Sequence, residues 1–202
     1  MKHIYTFLCL LLIGGVGQVS AFSDVDLEKL KSTNECKMCD FSGANLGGAR
    51  LRATNLAEAD LTGADLTGAD FYRAKLVGAN LTNAYLTGGN LYKANLENVN
   101  LTGANLAGAN LIDIFMEDTN LQDANLTGAD LTKAYLEATD LTGANLTMVN
   151  LTGAFLECTN LENTDLTDAV LTDAKLIWVK NLNKAILCRT TMPDRTVNNS
   201  GC

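Results

Sequence analysis

The stretches Ala64-Asp65-Leu66-Thr67-Gly68 and Ala104-Asn105-Leu106-Ala107-Gly108 are two copies of one five-residue unit. Such units follow one another without insertion over residues 39–178, which gives twenty-eight of them. With the central residue of a unit written i, leucine occupies i in twenty-five units and alanine occupies i−2 in eighteen. Position i−1 is Asn or Asp in twenty units, i+1 favours Thr or Glu, and i+2 favours Gly. This regularity identifies a repeat architecture.

A period of five residues fits neither an amphipathic helix nor an alternating strand. In a helix the leucines would be spread around the whole circumference. A square coil does fit, because four units then make one turn with Leu and Ala packed inside and Gly at corners that need a positive φ. Twenty residues per coil predict about seven coils which, stacked at about 4.8 Å, form a rod roughly 34 Å long.

The pattern A(N/D)LxG resembles that of the pentapeptide-repeat family. This resemblance implies an all-β fold, a right-handed quadrilateral parallel β-helix of about seven coils with a short N-terminal capping helix. The flanks at residues 33–44 and 187–195 are similar to the opening and closing segments of exported bacterial members. Gly more often follows Pro-Asp in that closing segment, so Arg195 departs from the pattern at a turn that would favour glycine.

The first residues are typical of an export signal. Lys2 and His3 give a positive start, residues 4–16 are apolar, and Val19-Ser20-Ala21 is a small-residue cleavage site. The apolar run is shorter than the roughly 20 residues that span a bilayer. We therefore expect residues 1–21 to be a signal peptide and the mature protein to be secreted or periplasmic (lumenal in a cyanobacterium), with no membrane attachment after cleavage.

Five cysteines remain once Cys9 has been removed with the signal peptide. In an oxidising compartment they favour disulfides over metal ligands. The favoured pairs are Cys36 with Cys39 and Cys188 with Cys202, although five cysteines allow other choices. Cys158 is then left over, either as a free surface thiol or as an intermolecular link.

The ends of a stacked coil expose unpaired backbone and need covers. Ser23 and Asp26 fit a capping box, so residues 24–32 are expected to form a helix over the first coil. After Trp178 the register slips by one residue and is expected to resume at Leu182 and Leu187. Trp178 is expected to cover the last regular coil, with a dimer interface as the rival interpretation. The predicted segments are 1–21 signal peptide, 22–38 cap and CxxC, 39–178 repeats, and 179–202 shifted repeats with a disulfide loop.

Composition excludes several classes of function. The formal net charge is −8 and the isoelectric point about 4.6, which argues against a basic nucleic-acid binder. The single histidine is His3, within the signal segment, so a histidine catalytic centre or metal site is not expected. The carboxylates fall at solvent-facing repeat positions, and a packed tube offers no pocket. The sequence therefore predicts a non-enzymatic protein with no catalytic residues, metal or cofactor.

Function is expected on the outer walls, where residues twenty apart stack into columns. One column, at i+1, is acidic, and an adjacent side carries aromatic and basic residues that suggest a contact patch. Stacking between neighbouring coils explains the aromatic column equally well. The acidic column is Glu97, Glu117, Glu137 and Glu157. The candidate contact residues are Phe115, Tyr135, Phe155, Tyr72, Tyr92, Arg73, Lys93 and Lys133.

These columns favour an exported scaffold that binds an unidentified protein partner, with a homodimer as one form of it. A first alternative is an acidic rod that mimics DNA and acts on a type II topoisomerase or another DNA-binding protein, as some members of the resembled family do. A second alternative is an ice- or surface-binding array of threonines. Thr62, Thr82 and Thr102 form one threonine column, but Gln122 interrupts it.

Overall fold

The computed structural model describes residues 23–202. The predicted signal peptide, with Cys9, lies outside these residues. No helix within the described part of the chain is long and apolar enough to cross a membrane.

The backbone winds into coils that pair with their neighbours in parallel. Every unit contributes one β-bridge at position i−1, and its partner is twenty residues away, as in the series Asn45–Asp65–Tyr85–Asn105. Each bridge uses two hydrogen bonds: Leu46 N donates to Asp65 O over 2.7 Å, and Asp65 N donates to Ala44 O over 2.9 Å. Four bridges per twenty residues give the tube four walls, each ending in a two-residue turn.

The interior of the tube is filled by positions i and i−2, as the repeat predicts. Leu66, Phe71 and Met116 are fully buried at i, and so are most alanines at i−2. Threonine replaces alanine at several i−2 positions without leaving a buried hydroxyl unpaired. Thr119 Oγ1, for example, donates to the carbonyl of Leu96 over 2.7 Å. Large and small side chains therefore alternate in a close-packed core.

Each corner contains one left-handed residue, at i+2. Gly68 has a φ of 65°, which costs glycine little because it has no Cβ. Lys93 and Met148 adopt nearly the same conformation, with φ of 58° and 57°. The side chain at i−1 supports the turn, since Asp65 Oδ1 accepts a hydrogen bond from Thr67 N over 3.0 Å. Glycine is thus favoured at i+2 but not required there.

The first coil is preceded by helix α1, Asp24–Thr33. Ser23 is its N-cap, and the Ser23 side chain accepts a hydrogen bond from Asp26 N. Leu27 and Leu30 are buried against the core of the tube. The adjacent Cys36–Cys39 disulfide, with an S–S distance of 2.11 Å, is one of the two pairs that the spacing favoured.

The C-terminal segment departs from the regular register later than expected. Lys180 still pairs with Asn160 at a separation of twenty, whereas Ile186 pairs with Asp165 at a separation of twenty-one. The slip therefore follows Lys180 rather than Trp178. It is absorbed by a 3₁₀ helix, Leu182–Lys184, so Leu182 does not resume the repeat, although Leu187 is buried again.

A short antiparallel hairpin ends the chain. Strand β1, Thr190–Thr191, pairs with strand β2, Val197–Asn198, and Cys188–Cys202 closes the segment with an S–S distance of 2.16 Å. Arg195, where the resemblance favours glycine, has a φ of 69° and donates from its backbone N to Met192 O over 2.9 Å. The turn therefore forms with an arginine in the left-handed conformation.

The prediction that Trp178 covers the last coil is wrong. Trp178 occupies an i+2 corner with a φ of 49°, and 75% of its surface is exposed. Position i+2 points away from the tube, so a bulky residue there cannot reach the end of the core. Instead, the partly buried Leu176, Val179 and Leu182 pack against the end of the core.

Candidate interaction surface

Three aromatic side chains stack along one wall of the tube. Phe115, Tyr135 and Phe155 occupy i−1 in successive coils and bridge to one another through the backbone. Their ring centroids are 5.0 Å apart in both pairs, with planes 9° and 5° from parallel. Because the half-buried rings face each other along the rod, solvent meets their edges, the positive part of the ring quadrupole. We call this side of the tube the aromatic wall.

A second aromatic pair lies at the corner before the aromatic wall. Tyr72 and Tyr92 have ring centroids 5.8 Å apart and are tilted by 37°. The Arg52 guanidinium lies 4.5 Å from the Tyr72 ring centre, and Lys93 Nζ lies 5.1 Å from that of Tyr92. Both distances are in the range of cation–π contacts. We call this corner the basic corner, and its cations are Arg52, Arg73, Lys93 and Lys133.

The basic corner and the aromatic wall meet in a shallow open groove. Lys93, Asp113, Phe115 and Tyr135 line it, and its volume is about 310 Å³. Lys93 Nζ lies 3.9 Å from Asp113 Oδ2 and is therefore held beside the aromatic edge. The groove offers a cation, an anion and apolar ring surface together, which suits contact with a protein surface better than enclosure of a small molecule.

Carboxylates line the corner that follows the aromatic wall. We call it the acidic corner, and its members are Glu58, Glu97, Glu117, Asp118, Glu137 and Glu157. Asn95 Nδ2 donates to Glu97 Oε1 over 3.0 Å. Burial raises the pKa of Glu117 above its usual value, and the neighbouring carboxylates Glu97, Glu137 and Asp118 raise it further.

The structure brings the candidate contact residues and the acidic column onto one wall. Sequence reasoning put them on adjacent sides, but the glutamates follow the aromatic residues by only two positions and occupy the next corner of the same wall. Four residues of this surface were missed, among them Glu58 and Asp118 of the acidic corner. Arg52 lies twenty residues before Tyr72, and Asp113 lies twenty after Lys93. Extending each column by one coil would have found both.

Asn and Thr side chains on the other walls mostly bond to each other. Thr62 Oγ1 donates to Asp60 Oδ1 over 2.6 Å, and Thr82 Oγ1 donates to Asn80 Oδ1 over 2.6 Å. Asn80 Nδ2 in turn donates to Thr62 Oγ1 over 2.8 Å. The single hydroxyl proton of each of these threonines is therefore donated to another side chain of the protein.

One group of possible metal ligands occurs among residues 23–202. Asp26, Cys36 and Cys39 place their ligand atoms within 4.8 Å of one another. The two sulfur atoms are joined in a disulfide, whereas a cysteine binds metal as a thiolate. In the oxidised protein this group supplies a single carboxylate and no metal-binding set.

Family comparison agrees with the geometry. The profile of the family described as Pentapeptide repeats matches in 8 copies, at residues 39–78, 65–103, 79–118, 100–137, 119–157 and 144–180. The chain belongs to the pentapeptide-repeat family. Twenty-residue bridging on four walls is accordingly the quadrilateral β-helix of pentapeptide-repeat proteins.

Solved pentapeptide-repeat structures match between about half and four-fifths of the chain. HetL, involved in heterocyst differentiation regulation in the cyanobacterium Nostoc sp. strain PCC 7120, is 30% identical, with 81% of this chain and 87% of HetL covered and a TM-score of 0.41. A protein from the Arabidopsis thaliana thylakoid lumen is 32% identical over 48% of this chain and 68% of its own, with a TM-score of 0.47. QnrB1, a plasmid-mediated fluoroquinolone resistance protein, is 22% identical over 72% and 78%, with a TM-score of 0.53, and supports the fold alone. A comparison with curated protein sequences finds no match.

Proposed function

We propose that this pentapeptide-repeat protein is a non-enzymatic, exported scaffold that binds a protein partner through the aromatic wall. The observation that carries this proposal is the stack of Phe115, Tyr135 and Phe155 between a basic and an acidic corner. Aromatic side chains are enriched where proteins bind one another, surrounded by a polar rim, and they bury much area at little entropic cost. The proposal includes a right-handed coil of about seven turns that is capped by α1, in a mature chain that starts after residue 21.

Two disulfides support an exported location. Cys36–Cys39 lies in the first coil, and Cys188–Cys202 lies at the other end of the tube, where it ties the C-terminal segment to the last coil. Disulfides of this kind persist in oxidising compartments. The proposed location is therefore periplasmic, secreted or lumenal.

The charge distribution favours a protein partner over the role of a DNA mimic. A mimic of duplex DNA presents negative charge along its whole length. Here the acidic corner is matched on the same wall by the cations of the basic corner. A DNA-binding protein that approached the glutamates would also meet Arg73 and Lys133.

The threonine columns give little support to ice binding. Thr62, Thr82, Thr127 and Thr142 donate their hydroxyl protons to the Asn or Asp two residues earlier. Each hydroxyl then keeps only acceptor capacity for an ordered water layer. Absence of thermal hysteresis in a concentrated solution of the protein would remove this alternative.

The test is affinity capture from the native compartment. The bait is the mature protein, and the variant changes Phe115, Tyr135 and Phe155 together to Ser. Tyr85→Ser is the matched control, because Tyr85 is a 54% exposed aromatic residue on a different wall. We expect a partner retained by the wild type and Tyr85→Ser but lost by the triple variant, with circular dichroism showing that all three are folded. Identical partners for all three baits would contradict the proposal.

A further inference from the structure

The aromatic wall is electrostatically self-complementary. Its preceding corner carries Arg52, Arg73, Lys93 and Lys133, and its following corner carries six carboxylates and Lys37, which pairs with Glu58, with Phe115, Tyr135 and Phe155 between the corners. A partner that matches this wall needs an acidic row, an apolar centre and a basic row in the reverse order. A second copy of the same wall has that composition.

Symmetry decides how two copies can meet. A two-fold axis parallel to the rods turns one wall onto the other with its left and right edges exchanged, so each basic corner faces an acidic corner. A two-fold axis perpendicular to the rods makes them antiparallel, so that the acidic corner of one copy faces the acidic corner of the other. Like charges held face to face cost free energy, so the parallel arrangement is the favoured one.

Opposite charges also lie at the same level along the rod. Arg52 and Glu58, Lys93 and Glu97, and Lys133 and Glu137 each sit in a single coil, at opposite corners of the wall. In a parallel dimer each of these ion pairs forms twice across the interface, because the cation of either copy faces the carboxylate of the other. Lys133 and Glu137 are the most available, because neither has an ion-pair partner within its own chain over residues 23–202.

Three coils oppose this arrangement. Lys75 and Lys175 continue the column of Phe115 along the two-fold axis, so each would face its own copy. Asp113 would face Glu117 and Asp118 of the second copy. Its negative charge is partly neutralised by Lys93 of its own chain, whose Nζ lies 3.9 Å away. These local repulsions limit the affinity. The wall is also small, since a rod of about 34 Å with one short side gives an interface at the low end of specific contacts. A weak, reversible association is expected.

We propose that the aromatic wall binds the aromatic wall of a second copy, giving a parallel, side-by-side homodimer with the Phe115–Tyr135–Phe155 stack on the two-fold axis. This inference rests on the proposed function and names the partner of the same surface. The dimer joins the long sides of two rods and leaves their ends free.

Two variants, each with one reversed charge, test the pairing when they are measured alone and as a mixture. Lys133→Glu alone and Glu137→Lys alone each place like charges opposite each other twice, so each is expected to weaken dimerisation by about tenfold or more in sedimentation velocity. An equimolar mixture of the two variants restores both attractions and is expected to recover wild-type association. Lys180→Glu, an exposed reversal outside this wall, is the control and should leave association unchanged. Asp113→Asn should strengthen association.

The outcomes separate the dimer from the broader proposal. A wild type that stays monomeric up to about millimolar concentration at low salt, or single variants that their mixture does not rescue, would overturn the dimer. If affinity capture still yields a different protein that depends on the aromatic wall, the proposed function stands with that protein as partner. Capture of no wall-dependent protein, combined with a monomeric wild type, overturns both.

Discussion

Phe115 and Tyr135 are twenty residues apart in the sequence, yet their ring centroids lie 5.0 Å apart with planes 9° from parallel. This spacing is close to the distance between hydrogen-bonded strands, because the two residues bridge in adjacent coils. Each outward side chain therefore lies one coil away from the next member of its column. Surface chemistry on this fold is arranged in such columns, and the aromatic wall is one instance.

The buried leucines are expected to carry the stability of the rod. Leu101 is fully buried at the middle of the tube, so Leu101→Ala should lower the free energy of unfolding by about 2–5 kcal/mol. Leu101→Asp should break the coil locally, because it buries an unpaired charge. Leu182→Ala, at a partly buried position near the end, is the control and should cost less. Urea unfolding measures all three, and an unchanged midpoint for Leu101→Asp would contradict this view of the core.

The left-handed corners predict a stabilising substitution. Met148 has a φ of 57° and is 60% exposed, so its side chain contributes little packing and strains the backbone. Met148→Gly is expected to raise the free energy of unfolding by up to about 1 kcal/mol, because relief of the left-handed strain exceeds the entropy that glycine gains in the unfolded chain. Thr147→Gly, at the preceding corner position, should destabilise instead. Thermal unfolding of both variants shows whether they move in opposite directions.

The C-terminal disulfide is expected to hold the shifted coil in place. Changing both Cys188 and Cys202 to Ser opens a link of 14 residues, whose closure is worth about 3 kcal/mol in chain-entropy estimates. Hydrogen exchange should then accelerate at β1 and β2 while residues 60–140 keep their protection. Cys158→Ser is the control, since Cys158 is not in a disulfide. Equal protection of β1 in the double variant and the wild type would show that the disulfide is dispensable.

Glu117 predicts a pH-dependent effect within the acidic column. Its pKa in the folded state is raised, first by burial and then by Glu97, Glu137 and Asp118, so its charge destabilises the folded protein at neutral pH. Glu117→Gln should therefore raise the stability at pH 7 by less than about 1 kcal/mol, because water partly screens the column.

The sign of this effect follows from the raised pKa. The gain from Glu117→Gln should shrink as the pH falls through the folded-state pKa of Glu117 and vanish below about pH 4, where the glutamate is neutral in both states. Glu157→Gln, at the end of the column, should give a smaller gain. Unfolding midpoints of the three proteins between pH 3 and pH 7 measure the difference. A gain that stays constant over this range would contradict the interpretation.

The sequence predicted the interior better than the ends and the surface. The apolar residues at i and i−2, such as Leu66 and Ala64, determine what lies inside, because the interior of the closed tube is the one place where the repeat can bury them. The ends depend on a few residues that break the repeat. Asn181 takes a left-handed conformation before the 3₁₀ helix, and this local geometry, rather than any hydrophobic pattern, sets where the register slips. The outward position of Trp178 follows from its i+2 corner, which outweighs its hydrophobicity.

The aromatic wall was predictable in part. Columns twenty residues apart brought Phe115, Tyr135 and Phe155 together correctly, because stacking depends only on the period. The side on which the glutamates lie depends on where each corner begins, and this requires the bridge at i−1 and the turn at i+1 and i+2. Arg52 was missed because its role arises from the ring of Tyr72 one coil later.

The central claim is that twenty residues advance the chain by one coil along a straight rod, and distances along one column test it most directly. Spin labels are placed in the Cys158→Ser protein at residue 42 together with residue 102, 122, 142 or 162, which all belong to one i+1 column. Double electron–electron resonance should give distances that rise by about 4.8 Å for each twenty residues, from about 14 Å to about 29 Å. Distances that do not increase steadily with sequence separation would contradict the coiled tube, and with it the aromatic wall and its proposed partner.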